Sequence, residues 1–216
     1  MKNTLTNKDL LKYLKRLKLK TGLIDKLKIY YRPIVCPFVE LISFVKEGDR
    51  IGDIGCGSGQ FCLLLAAFAK PSFIFGIEIN DHLVNNAKSL FEKHSDVPYE
   101  FEKFNGKHFP EKIATLDLIF LNDVLHHVPK DFQQQFISDL VNCMKTGARL
   151  IIKDINGGSP LVYFNKIHDL VFAGEIGNEL PYNKTQSWLE QNNLEIIEIK
   201  KKRMYVYPHY TIVAKK

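Results

Sequence analysis
The residues of this chain best equipped for chemistry fall in three short stretches. The first, RIGDIGCGSGQ (50–60), sets Gly55, Gly57 and Gly59 directly after a β-branched run that contains Asp53. Glycine permits positive φ and a close approach of backbone to ligand. Three of them in five residues point to a molecule lying against the chain itself. The second stretch, FGIEIN (75–80), carries Glu78 where a carboxylate can accept both hydroxyls of a ribose. The third, NDVLHHVPK (122–130), gathers Asp123, His126 and His127, residue types that can hold or take a proton near neutral pH. Each has a plainer reading. A glycine loop can be a tight strand-to-helix turn, Asp53 its brace, Glu78 a solvated strand end, and a His before Val-Pro a backbone clamp.

The surrounding pattern says what must position these groups. Short apolar strands are expected over 50–54, 73–79, 99–104, 116–121 and 148–154, with helices over 59–69, 81–93 and 132–144 between them. Strands separated by helices of this length pair in parallel through right-handed crossovers. Beyond Gly157 and Gly158, helical periodicity returns over 159–174 and 184–193, and two strands at 195–204 and 207–216 read as a hairpin. The expectation is an α/β, doubly wound seven-stranded sheet, mainly parallel with a C-terminal antiparallel hairpin, which receives ligands at its carboxyl edge. The loop spacing is GxGxG rather than GxGxxG, and a closing hairpin replaces the second βαβ half of a dinucleotide fold.

Composition narrows the class. A chain of 216 residues with 45% hydrophobic and 25% charged residues is an ordinary globular protein with room for one large core. Cys36, Cys56, Cys62 and Cys143 show no metal spacing and read as reduced thiols, so the expected setting is cytoplasmic. No signal peptide is read, and the longest apolar run, 61–69, is about half a membrane span. Residues 1–32 hold ten Lys/Arg against Asp9 and Asp25, a net of +8, while the remainder carries 20 basic and 22 acidic residues. Within that segment Leu10, Leu11, Tyr13, Leu14 and Leu17 form an apolar stripe at helical spacing, with Thr6 or Asn7 as cap and Gly22 as stop. A second helical pattern, 23–30, runs up to Pro33. The division expected is 1–34 as a basic helical lid or extension and 35–216 as the main domain, with Tyr30, Tyr31 and Arg32 closing over the ligand. Nucleic acid, drawn by charge, and an anionic membrane surface are the competing readings of 1–32.

Taken together these stretches resemble the class I S-adenosylmethionine-dependent methyltransferases, whose domain is Rossmann-like. DIGCGSG (53–59) looks like their first motif and GIEIN (76–80) their second-strand acid. LDLIFLNDVLHHVP (116–129) is similar to their fourth-strand motif, and MKTGARLIIKD (144–154) to the turn and fifth strand. The resemblance covers roughly residues 35–155 and the terminal hairpin. It implies S-adenosyl-L-methionine as cofactor, held by Asp53, Gly55, Cys56, Gly57, Gly59, Glu78, Ile79, Asn105 and Asn122. Asp53 would face the methionine ammonium, Glu78 the ribose, Ile79 the adenine ring, Asn105 the adenine amine and Asn122 the methionine portion.

Methyl transfer from a sulfonium is an in-line displacement that needs alignment and, for a neutral acceptor, a base. Candidates are His126, His127, Asp123 and His168, the last on the helix that lines the acceptor pocket in the resembled family. Some members bind a divalent cation through two glutamates and a histidine on the fourth-strand segment. Histidine and aspartate replace those glutamates here, so no metal is assigned. Lys153 and Asp154, ending the fifth strand, also lie at the active edge, with a local ion pair as their plainer reading. The Asp/Asn-Pro-Pro-Tyr signature of amino-directed DNA methylases is replaced by Asn-Asp-Val-Leu. The function expected is methylation of a small, apolar or aromatic acceptor, because Phe, Tyr and Leu dominate SPLVYFNKIHDLVF (159–172). The alternatives are RNA or protein methylation guided by the basic arm, and a non-catalytic cofactor-binding module.

Overall fold
The computed structural model describes residues 4–17, 23–172 and 176–216, except the side chains at 23–28, 168, 169, 171 and 172. Three helices, α1 (Asn7–Arg16), α2 (Leu23–Val35) and α3 (Phe38–Ser43), precede an alternating β/α run. That run is β1 (Arg50–Ile54), α4 (Gln60–Ala69), β2 (Phe73–Glu78), α5 (Asp81–His94), β3 (Tyr99–Lys103), β4 (Leu118–Asn122), α6 (Gln133–Cys143) and β5 (Arg149–Ile155). Then follow α7 (Val162–Phe172), α8 (Tyr182–Gln191), β6 (Glu195–Met204) and β7 (Tyr207–Lys215). The seven strands lie in the order β3-β2-β1-β4-β5-β7-β6. β1 to β5 are parallel to one another, β7 is antiparallel to β5, and β6 pairs with β7 across a register shift between Ile196 and Glu198.

Alternation along the central strands feeds two cores. On one face Ile51, Ile74, Leu118, Phe120, Ile151 and Val213 meet α1, α3, α4 and α5; on the other Ile119, Leu121, Ile152 and Ile212 meet α6 and α8. Strands buried on both faces read as the continuous apolar runs of a covered parallel sheet. The uninterrupted run at the start of α4, Phe61 to Leu65, is buried throughout, its Phe and Leu side chains each contributing about 1.5–3 kcal/mol of burial.

Two details depart from the sequence reading. Thr6 caps α1 through a reciprocal capping box with Asp9, and the helix buries Leu10 and Leu14 in the α3–α4 core while Tyr13 meets Phe68 edge-on. Its lysines remain in water, but its apolar stripe covers the core rather than the ligand edge. The helix that reaches that edge is α2, which continues through Pro33 to Val35 instead of ending before it. Proline has no N–H for the carbonyl four residues back. That carbonyl, on Ile29, accepts from Gln60 Nε2 at 2.6 Å instead, so the orphaned acceptor ties α2 to the first residue of α4. No described helix is long and apolar enough to cross a membrane.

Candidate active site
β1 ends on Asp53 and Ile54, and the chain then turns through Gly55, Gly57 and Gly59, with φ of 74°, 54° and 76°. A residue with a Cβ costs about 1–2 kcal/mol in that region. The three glycines answer to different neighbours. A Cβ at Gly55 would stand 2.4 Å from Val124 Cγ2, and one at Gly59 would stand 3.0 Å from Ala87 Cβ. At Gly57 nothing lies within 4 Å. The protein itself excludes side chains at two positions; only the middle glycine faces open space.

The loop is anchored on β2. Gly55 N and Cys56 N donate to Ile77 O at 2.8 and 3.1 Å, and Gly57 N donates to Glu78 Oε2 at 3.0 Å. Glu78 Oε1 accepts from Asn80 N at 3.1 Å, and Asn80 caps α5. The Glu78 carboxylate is thus fixed beside Gly57 by two backbone N–H groups, with Ile79 next to it 65% exposed. Cys56 turns its thiol inward, near Gly76 and the Gly57 carbonyl. Burial pushes that thiol up, and the residue offers a ligand its backbone alone. Asn105 departs from expectation. Its Oδ1 accepts from Lys107 N and His108 N at 2.8 and 2.9 Å. The oxygen assigned to the adenine amine is engaged in a local turn.

Asp53 is buried, 3% exposed, and Oδ2 accepts from the Cys62 thiol at 3.1 Å. Burial, opposed by that hydrogen bond and by Arg32, pushes its carboxyl up to about 7. One strand over, Asn122 is buried, its Oδ1 3.8 Å from Cys36 Sγ. Asp123 follows at φ 58°, a conformation aspartate tolerates. Its two oxygens accept from Lys153 Nζ at 2.6 and 2.7 Å, and Arg32 Nη2 stands 3.8 Å away. Burial alone would raise the Asp123 carboxyl; the cations of Lys153 and Arg32 outweigh it and hold it well below the usual range. Lys153 is 1% exposed; desolvation lowers its pKa, but Asp123 carries it above the ordinary value.

Lys153 and Asp154 therefore do not form the local pair expected of them. Strand neighbours point to opposite faces, so Lys153 meets Asp123 while Asp154 meets His126. His126 is buried, with Nδ1 at 2.5 Å from Asp154 Oδ1 and its backbone N donating to Oδ2 at 3.2 Å. His127 is exposed, its ring 4.0 Å from that of His126. The structure brings Asp123, His126 and His127 to one loop; the His168 side chain lies outside the described residues, on α7. Among the described residues, no three His, Cys, Asp or Glu side chains converge as metal ligands would.

Sequence reasoning missed Cys62, Gln60 and His209. His209 Nε2 donates to Val35 O at 2.7 Å, and burial with Lys153 nearby pushes this imidazole down to about 3, so it is neutral. Cys62 stands three residues after Gly59 on the first turn of α4, a spacing that could have suggested a reach back to Asp53. The other two depend on contacts between distant segments.

The arrangement matches known proteins. A family model described as a methyltransferase domain matches residues 45–208. The 27-O-demethylrifamycin SV methyltransferase of Amycolatopsis mediterranei is 28% identical over 111 residues, 51% of this chain and 40% of its own length. A tRNA (guanine-N(7)-)-methyltransferase of Prochlorococcus marinus is 31% identical over 113 residues, 47% of this chain and 54% of its own. The chain spans about half the length of the curated relatives it matches. Among solved structures, magnesium protoporphyrin IX methyltransferase from Synechocystis with bound SAH superposes with a TM-score of 0.68 at 18% identity, covering 97% of this chain and 95% of that one. A SAM-dependent methyltransferase from Methanosarcina mazei gives 0.67 at 20%, covering 82% and 96%. Those identities speak to the fold. Through the family match, which spans glycine loop, second-strand acid and both later motifs, the chain belongs to the class I S-adenosylmethionine-dependent methyltransferases.

Proposed function
We propose that this chain methylates a small, largely apolar or aromatic acceptor at the carboxyl edge of β4 and β5. When bound, S-adenosylmethionine supplies an electrophilic methyl group on sulfur. The residues fit it. Gly57 leaves bare backbone, Glu78 fixes a carboxylate beside it for the ribose, and Ile79 exposes an apolar surface for the adenine. Asp53 is a buried carboxylate without a lysine or arginine within ion-pair distance among the described residues, suited to an ammonium. Asn122 lines the methionine end. Asn105 would act there through its turn rather than its oxygen.

The observation that carries the acceptor reading is a small apolar cluster beyond Asp123 and Lys153. Ile155, Val162 and Tyr207 are buried together, with Val35 and Val206 packed on them. Tyr31 stands over it, its hydroxyl 3.2 Å from that of Tyr207. An aromatic acceptor resting there would meet apolar walls and two phenols. His127 is our candidate base, exposed on the loop after β4. His126, pinned by Asp154, positions that loop, and Asp123, neutralised by Lys153, shapes the field around it. Relatives named for rifamycin and O-methylation support this class. The four free cysteines support an intracellular setting.

The test is a methyl-transfer screen over phenols, quinone precursors and fatty acids with wild type, His127→Ala and His126→Asn. Turnover of a phenol that falls at least tenfold in His127→Ala, with cofactor affinity unchanged, supports the reading. Turnover confined to nucleic acid would overturn it. The tRNA-directed relative and the exposed Lys8, Lys12, Lys15 and Arg16 of α1 favour that second reading. Against it, α1 meets Phe68 near the far end of α4, about 15 Å of helix from the glycine loop.

A further inference from the structure
Lys153 and Arg32 are two cations set around one carboxylate. Lys153 Nζ donates to both oxygens of Asp123 at 2.6 and 2.7 Å, and that pair is complete. Arg32 Nη2 stands 3.8 Å from Asp123 Oδ2, beyond hydrogen-bond reach. Among the described residues the Arg32 guanidinium donates no hydrogen bond. It faces the Phe38 ring at 5.5 Å, and its side chain is 40% exposed. Two positive groups and one negative group leave a positive charge unmatched at this corner. The neighbouring titratable groups do not cancel it. Burial pushes the Cys36 thiol up to about 11 and the His209 imidazole down to about 3, so both are neutral. Asp154 lies on the other face of β5, against His126. Asp53 feels Arg32 as well, but on the proposed reading the cofactor ammonium balances it.

The unmatched cation sits at the margin of the acceptor cluster. Arg32 and Val35 are three residues apart on α2 and share one side of it, and Val35 packs on Ile155, Val162 and Tyr207. The Val35 carbonyl accepts from His209 Nε2 at 2.7 Å, and Tyr31 meets the Tyr207 hydroxyl at 3.2 Å. Two hydrogen bonds thus hold this end of α2 against β7, with Arg32 between them in sequence. α7 adds only Val162 to the cluster. Its Tyr163, Phe164 and Ile167 are exposed, while Asn165 and Lys166 reach Glu179 on the opposite side. The polar end of an acceptor therefore meets α2 rather than α7.

We infer that the acceptor carries a carboxylate, held by Arg32, beside the atom that is methylated. The inference rests on the proposed small-molecule reading and narrows it to aromatic acids. A planar guanidinium presents a fork of N–H donors that matches a carboxylate. Apolar walls with one charged group at their edge fix how a ring lies. A carboxylate engaged by Arg32 has its lone pairs occupied, so the nucleophile is a second group such as a phenol oxygen. The competing partner is the methionine carboxylate of the cofactor. Arg32 lies within ion-pair range of Asp123, at the β4 end of the site. Among the described residues it forms no ion pair with Asp53, at the β1 end, which favours the acceptor.

para-Hydroxybenzoate and para-hydroxycinnamate are assayed with the full chain beside their primary amides, which keep the ring, the phenol and the shape but lose the charge. kcat/KM is expected to favour the acids by at least about tenfold, mostly through KM. Arg32→Met should reduce that acid-to-amide ratio about tenfold, and Arg32→Lys should retain part of it. Calorimetry with S-adenosylhomocysteine present should show tighter binding of acid than of amide by the wild type, a difference that Arg32→Met removes. Thermal melting checks that each variant is folded. Equal use of acids and amides overturns the inference and leaves phenol methylation standing, as does turnover of neither while other phenols are methylated. Methylation of no phenol overturns the reading beneath it as well. An acid preference that survives Arg32→Met removes the assignment to this residue. Weaker S-adenosylmethionine binding by Arg32→Met, with the acid-to-amide ratio unchanged, overturns the inference in favour of the cofactor carboxylate.

Discussion
Asp53 and Asp123 end neighbouring parallel strands, are set into the same edge and carry the same side chain, yet their surroundings push them in opposite directions. Asp123 is gripped by Lys153 through both oxygens and lies near Arg32, so it is held ionised. Asp53 has a thiol for its hydrogen-bond donor and is raised to about 7. The contrast separates two uses of a carboxylate at a site. A charge balanced by the protein organises the fold around it. A charge left for a ligand to balance costs stability until the ligand arrives. On the proposed reading, the ammonium of the cofactor is that missing cation.

The largest test of the contrast is pH. An unfolded aspartate releases its proton near 3.9, whereas native Asp53 holds its proton up to about 7. Between those values the native state binds the extra proton, so stability falls as pH rises from about 4 to 7, by up to about 4 kcal/mol, and levels above. Asp53→Asn should flatten that slope in urea unfolding. Cofactor affinity should run the other way, strengthening about tenfold per unit up to pH 7. Parallel slopes, or none, would break the comparison.

Next in size is Lys153→Met. Removing the cation leaves a carboxylate that is only 23% exposed, and a loss of about 3 kcal/mol is expected, the low end for a buried pair because water still reaches it. Lys153→Met/Asp123→Asn should recover most of this. A double variant no better than the single one would mean that the pair is not what organises the loop.

The glycines sharpen the Asp53 side of the contrast. Gly55→Ala meets Val124 as well as an unfavourable φ and should cost about 2–3 kcal/mol. Gly57→Ala meets only the φ penalty, about 1 kcal/mol, while weakening the cofactor more than stability suggests. Calorimetry with S-adenosylmethionine beside thermal melting distinguishes the two. The smallest effect concerns α2. Gln60→Ala should cost about 1 kcal/mol, and less in a Pro33→Ala background, where a backbone N–H returns to the Ile29 carbonyl. An equal loss in both backgrounds would detach α2 from the glycine loop.

Much of this was legible in the sequence, and what was missed has physical causes. Strands, crossovers and hairpin follow from local periodicity and turn residues, and their assigned boundaries lie within a few residues of the observed ones. The glycine loop was legible as a turn, but Gly55 and Gly59 owe their identity to Val124 and Ala87, neighbours that only the fold supplies. Lys153 was misassigned to Asp154 because adjacency in sequence is separation in a strand; its true partner follows from the β4–β5 register. The apolar residues of α7 were read as a pocket lining. Periodicity identifies a stripe without saying which side of it the domain occupies, and Glu179, drawn to the opposite side, decides the matter.

Because β7 lies between β5 and β6, translation order and spatial order disagree at that edge of the sheet. β6 leaves the ribosome before the strand that will hold it, and the open side of β5 waits for the same segment. Half-made chains therefore present an unsealed β-edge, the kind of surface that chaperones meet during synthesis. Lys200, Lys201 and Lys202 would discourage such nascent chains from zipping onto one another until β7 emerges.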